Sequence, residues 1–341
     1  MSLLDNLRVF GLGESKAYTQ EICSYLSTLG KLFDISSHQE TYHDDGESYL
    51  KSNENVRDCD VYVISSLYTD KDHKVNEKII NLMWFIGSLK DASARRVTVI
   101  VPYMAYARQD RKVKSREPII TKYMAKTFEA MGVDRLITVD IHNLSALQNS
   151  FRIPVDNLDC IKLFTDYLCD TQFDGEATLR ENPENLVVLS PDNGGINRCG
   201  MFQDALEKTL GVEIPLAVFD KRRVEGKVKG SRIIGDVVGK RVLLFDDMIA
   251  SGSTAVKAIK AATEAGGELF AFCATHGLFI GSANETLADV KRLIITDTVS
   301  TWRLSEQMKS KVKIVSTAKL MFNVIQRTHF EGGSISKLLE V

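Results

Sequence analysis

Short apolar runs rich in Val, Ile and Leu recur along the chain, each closed by turn residues and followed by a helical stretch. They cover 95–103, 135–142, 185–192, 215–221, 241–247 and 292–298. The runs are nearly continuous rather than alternating, which is the pattern of strands buried on both faces of a parallel sheet. Helices are predicted between them from Pro118 to Met131 and from Thr254 to Ala265, the latter ended by Gly266-Gly267. Strand and helix in alternation give an open, parallel α/β architecture. The polar stretch 168–183, broken at Gly175 and Asn182, reads as an exposed connection.

The ends of these runs carry the chemistry. VPY, VDIH, LSPDNGG, FDKRR and FDDM all place polar or charged residues where the apolar run stops. In open α/β sheets, ligands bind in the crevice beyond the carboxyl ends of the strands. The segment FDDMIASGST (245–254) leaves a strand and opens a helix. Its adjacent carboxylates, Asp246 and Asp247, can accept hydrogen bonds from vicinal hydroxyls or help hold a divalent cation. Ser251, Gly252, Ser253 and Thr254 offer hydroxyls and free N–H groups at a helix N-terminus, which suits phosphate. A capped helix after an acidic turn would explain Ser-Gly-Ser-Thr alone. With Asp-Asp directly before it, the segment suits a sugar phosphate.

Composition narrows the class. The 341 residues make 38.1 kDa, enough for about two domains of ordinary size. Apolar residues are 44% and charged residues 26%, which excludes a disordered or fibrous chain. A net charge of -2 is unlike the basic face of a nucleic-acid binder, so no nucleic-acid partner is expected. Anions must instead meet local clusters, of which Arg108–Lys114 and Lys221–Arg223 are the densest. No apolar run approaches the ~20 residues that span a bilayer, and no secretory signal is read at the start, so no membrane role is expected. Six scattered cysteines without a CxxC fit reduced, buried thiols and a cytoplasmic protein.

The chain resembles the ribose-phosphate pyrophosphokinase (phosphoribosyl pyrophosphate synthetase) family. The resemblance rests on DDGE (44–47), NENVR (53–57), PYMAYARQDRK (102–112), SREPI (115–119), DIH (140–142), IPVDNLD (153–159), SPDNGG (190–195), DKRR (220–223), VVGKRVLLFDDM (237–248) and ATHGLF (274–279), in family order. It implies two similar phosphoribosyltransferase-like α/β domains, each with a mainly parallel sheet flanked by helices. The first would span 1–157 and bind nucleotide, with 318–341, including a helix from Thr317 to Thr328, packing back on it. The second, 158–317, would bind ribose 5-phosphate and carry catalysis. The implied reaction converts ATP and ribose 5-phosphate into 5-phospho-α-D-ribose 1-diphosphate and AMP, with Mg²⁺ as cofactor.

The resemblance also implies roles, residue by residue. Lys221 and Arg223 are the catalytic pair, able to close over the transferring group. His43, Asp45, Gly46 and Glu47, with Arg108, Gln109 and Asp110, form the ATP site, commonly shared with a neighbouring subunit. A hairpin turn explains Asp45-Gly46 equally well. Asp246, Asp247, Ala250, Ser251, Gly252, Ser253 and Thr254 take ribose 5-phosphate, and Asp192, Asn193, Gly194 and Gly195 cradle the diphosphate. His142 and Asp192 are the metal residues, although a histidine at a strand end is otherwise more simply a core residue. Asn55, Arg57, Ser334 and Ser336 stand where the family binds effectors. A homo-oligomer built from dimers follows from a shared ATP site.

Three departures stand out: His43 where the family carries Phe, Ala250 where it carries a third acidic residue, and an extra residue between Asp140 and Pro154. They keep two other readings open, a catalytically silent synthetase-associated subunit and a phosphoribosyltransferase.

Overall fold

The computed structural model describes residues 4–30, 32–173, 175, 178–224, 227–330 and 334–338, with the side chains of 221–231 outside that description. The chain divides into two compact units. Unit 1 runs to Leu158 and also takes in Thr298–Ser300 and Thr317–Leu338; unit 2 comprises Asp159–Asp297 and Thr301–Ser316.

Unit 1 contains β1 (Leu7–Gly11), α1 (Ser15–Ser27), β2 (His38–Tyr42), β3 (Ser48–Ser52), β4 (Asp60–Ile64), α2 (Val75–Asp91), β5 (Arg96–Val101), α3 (Ile120–Ala130), β6 (Arg135–Val139), α4 (Leu144–Ser150) and β7 (Val155–Leu158). Its sheet has the order β1-β4-β5-β6-β7 and is parallel throughout, while β2 and β3 form a separate hairpin. Burial on both faces explains the unbroken apolar runs. Val61, Val63, Val97, Val99 and Val101 share one core with Phe85 of α2 and Phe128 of α3. The helix α3 buries Thr121, Met124, Ala125 and Phe128, an i, i+3, i+4, i+7 stripe.

Unit 2 continues with α5 (Ile161–Asp170), β8 (Leu186–Ser190), α6 (Ile196–Leu210), β9 (Leu216–Val224), β10 (Lys227–Ile234), β11 (Arg241–Ile249), α7 (Ser253–Glu264), β12 (Glu268–Gly277), α8 (Ala283–Thr286), β13 (Leu293–Thr296), α9 (Glu306–Lys311) and β14 (Val312–Val315). The sheet order is β10-β9-β8-β11-β12-β13-β14. Only β10 runs antiparallel to its neighbour, β9. The stretch 168–183, read as an exposed connection, is partly buried. Leu168 and Cys169 are fully buried in the last turn of α5, because their apolar side chains close its inner face, and Phe173 and Leu179 are packed inside as well.

The last helix, α10 (Ala318–His329), belongs to unit 1 and packs against α1. Tyr18 bonds Thr317 at 2.7 Å and Tyr62 bonds Thr328 at 2.7 Å. Asp60, with a fully buried side chain, accepts from Arg96 Nε at 2.8 Å and contacts His329 Nδ1 at 2.7 Å. Arg96 also donates to the Thr328 carbonyl at 2.7 Å. All six cysteines are free and buried. Among the described residues, no helix is long and apolar enough to cross a membrane.

Candidate active site

The order of the unit 2 sheet decides where ligands can collect. From β8 the chain passes to β9 on one side, then crosses to β11 on the other. The strand order therefore reverses between β8 and β11, the position at whose carboxyl ends open α/β sheets bind ligands. The pairing of the two strands stops at Leu244 and Leu189, so β11 outruns its partner. Asp246 and Asp247 lie on that overhang, and Asp192–Gly195 follows β8 directly.

Asp246 and Asp247 differ in setting. The Asp246 side chain is 24% exposed and that of Asp247 only 5%. The Asp247 N–H donates to Asp246 Oδ1 at 2.9 Å. Burial and the adjacent Asp247 carboxylate push the Asp246 carboxyl well above the ordinary carboxylate range, and Arg198 opposes the shift. Beyond them, Ala250 and Ser251 turn the chain into α7. Gly252 precedes that helix at φ 75°, and a Cβ there would meet Leu287 side-chain atoms at 2.8 Å. Glycine is what lets the loop turn so tightly against α8. Ser251 Oγ reaches Ser253 Oγ at 3.2 Å. Thr254 sits in the first turn of α7. Hydroxyls and helix N–H groups thus lie together at the mouth of a twelve-residue helix.

The Asp192–Gly195 loop is engaged with itself. Asp192 Oδ1 accepts from Gly194 N–H at 2.9 Å and from Gly195 N–H at 3.2 Å. The loop's own carboxylate thus occupies both N–H groups. Asn193 donates to Asp220 on β9 at 3.3 Å, and Ser190 Oγ would lie 2.9 Å from a Cβ at position 195. Lys221 and Arg223 lie farther along β9, with their backbones opposite Ser231 and Val228 of β10. Their side chains fall outside the described residues.

In unit 1, the turn of the β2–β3 hairpin carries His43, Asp45, Gly46 and Glu47, all exposed. The His43 N–H bonds the Glu47 carbonyl at 2.8 Å, Glu47 N–H bonds Asp45 Oδ1 at 3.0 Å, and Gly46 has φ 92°. The hairpin is pinned to α2: Asn81 donates to Tyr42 Oη at 3.0 Å and accepts from Ser48 Oγ at 2.5 Å. Arg108 and Gln109 are exposed beyond β5, while Asp110 accepts a hydrogen bond from Asn143, the N-cap of α4. Asp110 is thereby tied to the neighbour of the exposed His142.

These two site-bearing units have close relatives. Residues 7–132 match the family described as the N-terminal domain of ribose phosphate pyrophosphokinase, and residues 216–340 match the phosphoribosyl synthetase-associated domain. Ribose-phosphate pyrophosphokinase 1 of Listeria innocua is 33% identical over 337 residues, covering 98% of this chain and 97% of its own. The ribose-phosphate pyrophosphokinase of Caldanaerobacter subterraneus is 36% identical over 338 residues, 98% of each. The chain belongs to the ribose-phosphate pyrophosphokinase family. The crystal structure of phosphoribosylpyrophosphate synthetase from Mycobacterium smegmatis superposes with a TM-score of 0.82 at 28% identity, covering 96% of this chain and 100% of that one. The family's two-domain phosphoribosyltransferase-like fold is therefore the fold of this chain.

Sequence reading missed Arg198, Asn143 and Asn81 at these places. Each acts through a partner distant in sequence, and only the sequence neighbours of Arg198 (Gly194-Gly195) and Asn143 (His142) hinted at them. Among the described residues, no group of three or more His, Cys, Asp or Glu side chains is gathered for a metal. The exposed Asp192 of unit 2 carries the kind of oxygen donor that magnesium takes alongside waters and substrate phosphate oxygens, whereas the exposed His142 of unit 1 offers a ring nitrogen instead.

Proposed function

We propose that the chain transfers the β,γ-diphosphoryl group of ATP to the C1 hydroxyl of ribose 5-phosphate, giving 5-phospho-α-D-ribose 1-diphosphate and AMP. The observation that carries this reading is the kinship over nearly the full length to ribose-phosphate pyrophosphokinases. The carboxylate pair beside a phosphate-ready helix mouth supports the sugar-phosphate half of it.

In the proposed mechanism, Asp246 and Asp247 accept hydrogen bonds from the ribose hydroxyls, while Ser251–Thr254 receive the 5-phosphate. The C1 oxygen attacks the β-phosphorus in line, the bond from that phosphorus to the α,β-bridging oxygen breaks, and AMP carries away the electron pair. The C1 hydroxyl proton is lost to solvent or buffer. Gly194 and Gly195 N–H groups, released by Asp192, hold the moving diphosphate. Lys221 and Arg223 neutralise charge as it spreads over that group. His43, Asp45, Gly46, Glu47, Arg108, Gln109 and Asp110 bind ATP. His142 and Asp192 would hold Mg²⁺, which when bound would supply charge neutralisation to the ATP phosphates.

Nucleotide binding is assigned to 1–157 with 318–341, and ribose 5-phosphate binding and catalysis to 158–317. The proposed assembly is built from dimers that share the ATP site, and the proposed compartment is the cytoplasm, which suits six free thiols. A second reading, a catalytically silent partner of a synthetase, is favoured by Ala250 in place of a carboxylate. An assay with ATP, ribose 5-phosphate and Mg²⁺ separates the two. AMP formed in step with the ribose diphosphate supports the enzyme, and its absence from the intact protein refutes it. Asp247→Asn is expected to cut turnover at limiting ribose 5-phosphate by at least tenfold.

A further inference from the structure

Arg198 has no role in the proposed mechanism, yet it stands at the centre of the carboxylate pair. It lies in the first turn of α6, directly after the Asp192–Gly195 loop. Its Nη1 is 3.8 Å from Asp246 Oδ1 and its Nη2 is 3.4 Å from Asp247 Oδ2. The guanidinium side chain is only 19% exposed, so solvent screens these contacts weakly.

We propose that Arg198 is the positioning residue of the ribose-binding pair, its planar fork reaching both carboxylates at once and holding them as acceptors for vicinal hydroxyls. This rests on the reading that Asp246 and Asp247 bind ribose. Two adjacent carboxylates in a half-buried site repel, and the ordinary relief is for one of them to take a proton. A protonated carboxyl gives up an acceptor that a ribose hydroxyl needs. A permanent cation facing both groups opposes that pressure, and arginine keeps its charge under all working conditions. The two nitrogens face a different carboxylate each, and the Asp247 N–H donates at 2.9 Å to the same Asp246 Oδ1 that Nη1 faces. Lysine supplies the charge as a single point and cannot address two carboxylates with a rigid fork.

The test uses the full-length protein with Arg198→Met and Arg198→Lys. For each variant, KM for ribose 5-phosphate, KM for ATP and kcat are measured, with binding of ribose 5-phosphate by calorimetry and folding by thermal unfolding. Arg198→Met is expected to raise KM and Kd for ribose 5-phosphate at least tenfold and to leave KM for ATP within twofold. Arg198→Lys is expected to recover part of that loss. Ribose 5-phosphate KM and Kd within twofold of wild type in Arg198→Met overturn the proposal. So does an equal rise in both KM values, which marks a merely structural residue. Should Arg198→Met not fold, the lysine variant decides alone: an unselective loss overturns the proposal, a loss confined to ribose 5-phosphate supports it. Absence of AMP from wild type would sink the proposed reaction, whereas the calorimetric comparison would still judge Arg198.

Discussion

Replacing Asp60 by Asn is expected to destabilise unit 1 by about 3 kcal/mol. The Asp60 side chain is fully buried and paired with Arg96 and His329. Removing one member of a buried ion pair costs ~3–5 kcal/mol, because the partner charge is left without compensation. Arg96 is 35% exposed, so water relieves part of its loss, and the low end of the range applies. At roughly 2–4 °C per kcal/mol for a unit of this size, unfolding should fall by about 6–12 °C. Urea unfolding followed by Trp84 fluorescence in a Trp302→Phe background reports on unit 1, where Trp84 is 55% exposed. A loss under about 1 kcal/mol would refute the reasoning, because it would show that Arg96 and His329 are not left with an uncompensated buried charge. The double variant Asp60→Leu, Arg96→Leu should recover most of the loss, since apolar packing replaces the pair.

Acid should weaken the fold through the same group and two others. Burial alone would raise the Asp60, Glu40 and Asp70 carboxyls, but hydrogen bonds outweigh it: from His329 and Arg96, from His38 and the Gly13 N–H, and from Lys78 and the His73 N–H. Their folded pKa values lie below the unfolded ones, so the stabilisation is complete above about pH 4.5 and is lost as pH falls through the folded values; urea midpoints at pH 6 and pH 3 measure it, and equal midpoints would refute it. Gly252→Ala must place a Cβ 2.8 Å from Leu287 at φ 75°, so a loss of about 1–3 kcal/mol and a raised KM for ribose 5-phosphate are expected by unfolding and kinetics. Burial pushes the Cys23 and Cys199 thiols up to about 12 and that of Cys169 to about 11, so iodoacetamide at pH 8 should leave the native protein unmodified and label six thiols after denaturation, as counted by mass spectrometry.

Structure set by local signals is legible in the sequence, and structure set by distant partners is not. The helix predicted over 118–131 is α3 at Ile120–Ala130, and that predicted over 254–265 is α7 at Ser253–Glu264, because each has an apolar stripe and a clear stop. Strand β7 has no such signal, since Val155–Leu158 carries Asp156 and Asn157 in only four residues. It is a strand because β6 pairs with it, which no local pattern reveals. The strand-to-helix turn at Asp246 to Thr254 was legible because residue types and spacing act within one loop. Arg198 was not, because its meaning comes from α6 lying across β11. The self-capping of Asp192 onto Gly194 and Gly195 lies between these cases: an Asp before two glycines is a local turn signal as well as an anion-loop signal.

The return of α10 to unit 1 sets an order of events during synthesis. The strands of unit 1 emerge first, but the helix that covers Tyr62, Arg96 and Asp60 emerges after the whole of unit 2. A nascent chain stopped at Ser316 therefore holds every described residue of unit 2 and a unit 1 whose buried carboxylate still lacks His329. Unit 2 is complete in sequence before α10 is made, whereas unit 1 is completed only by α10, with apolar surface open to chaperones in the interval.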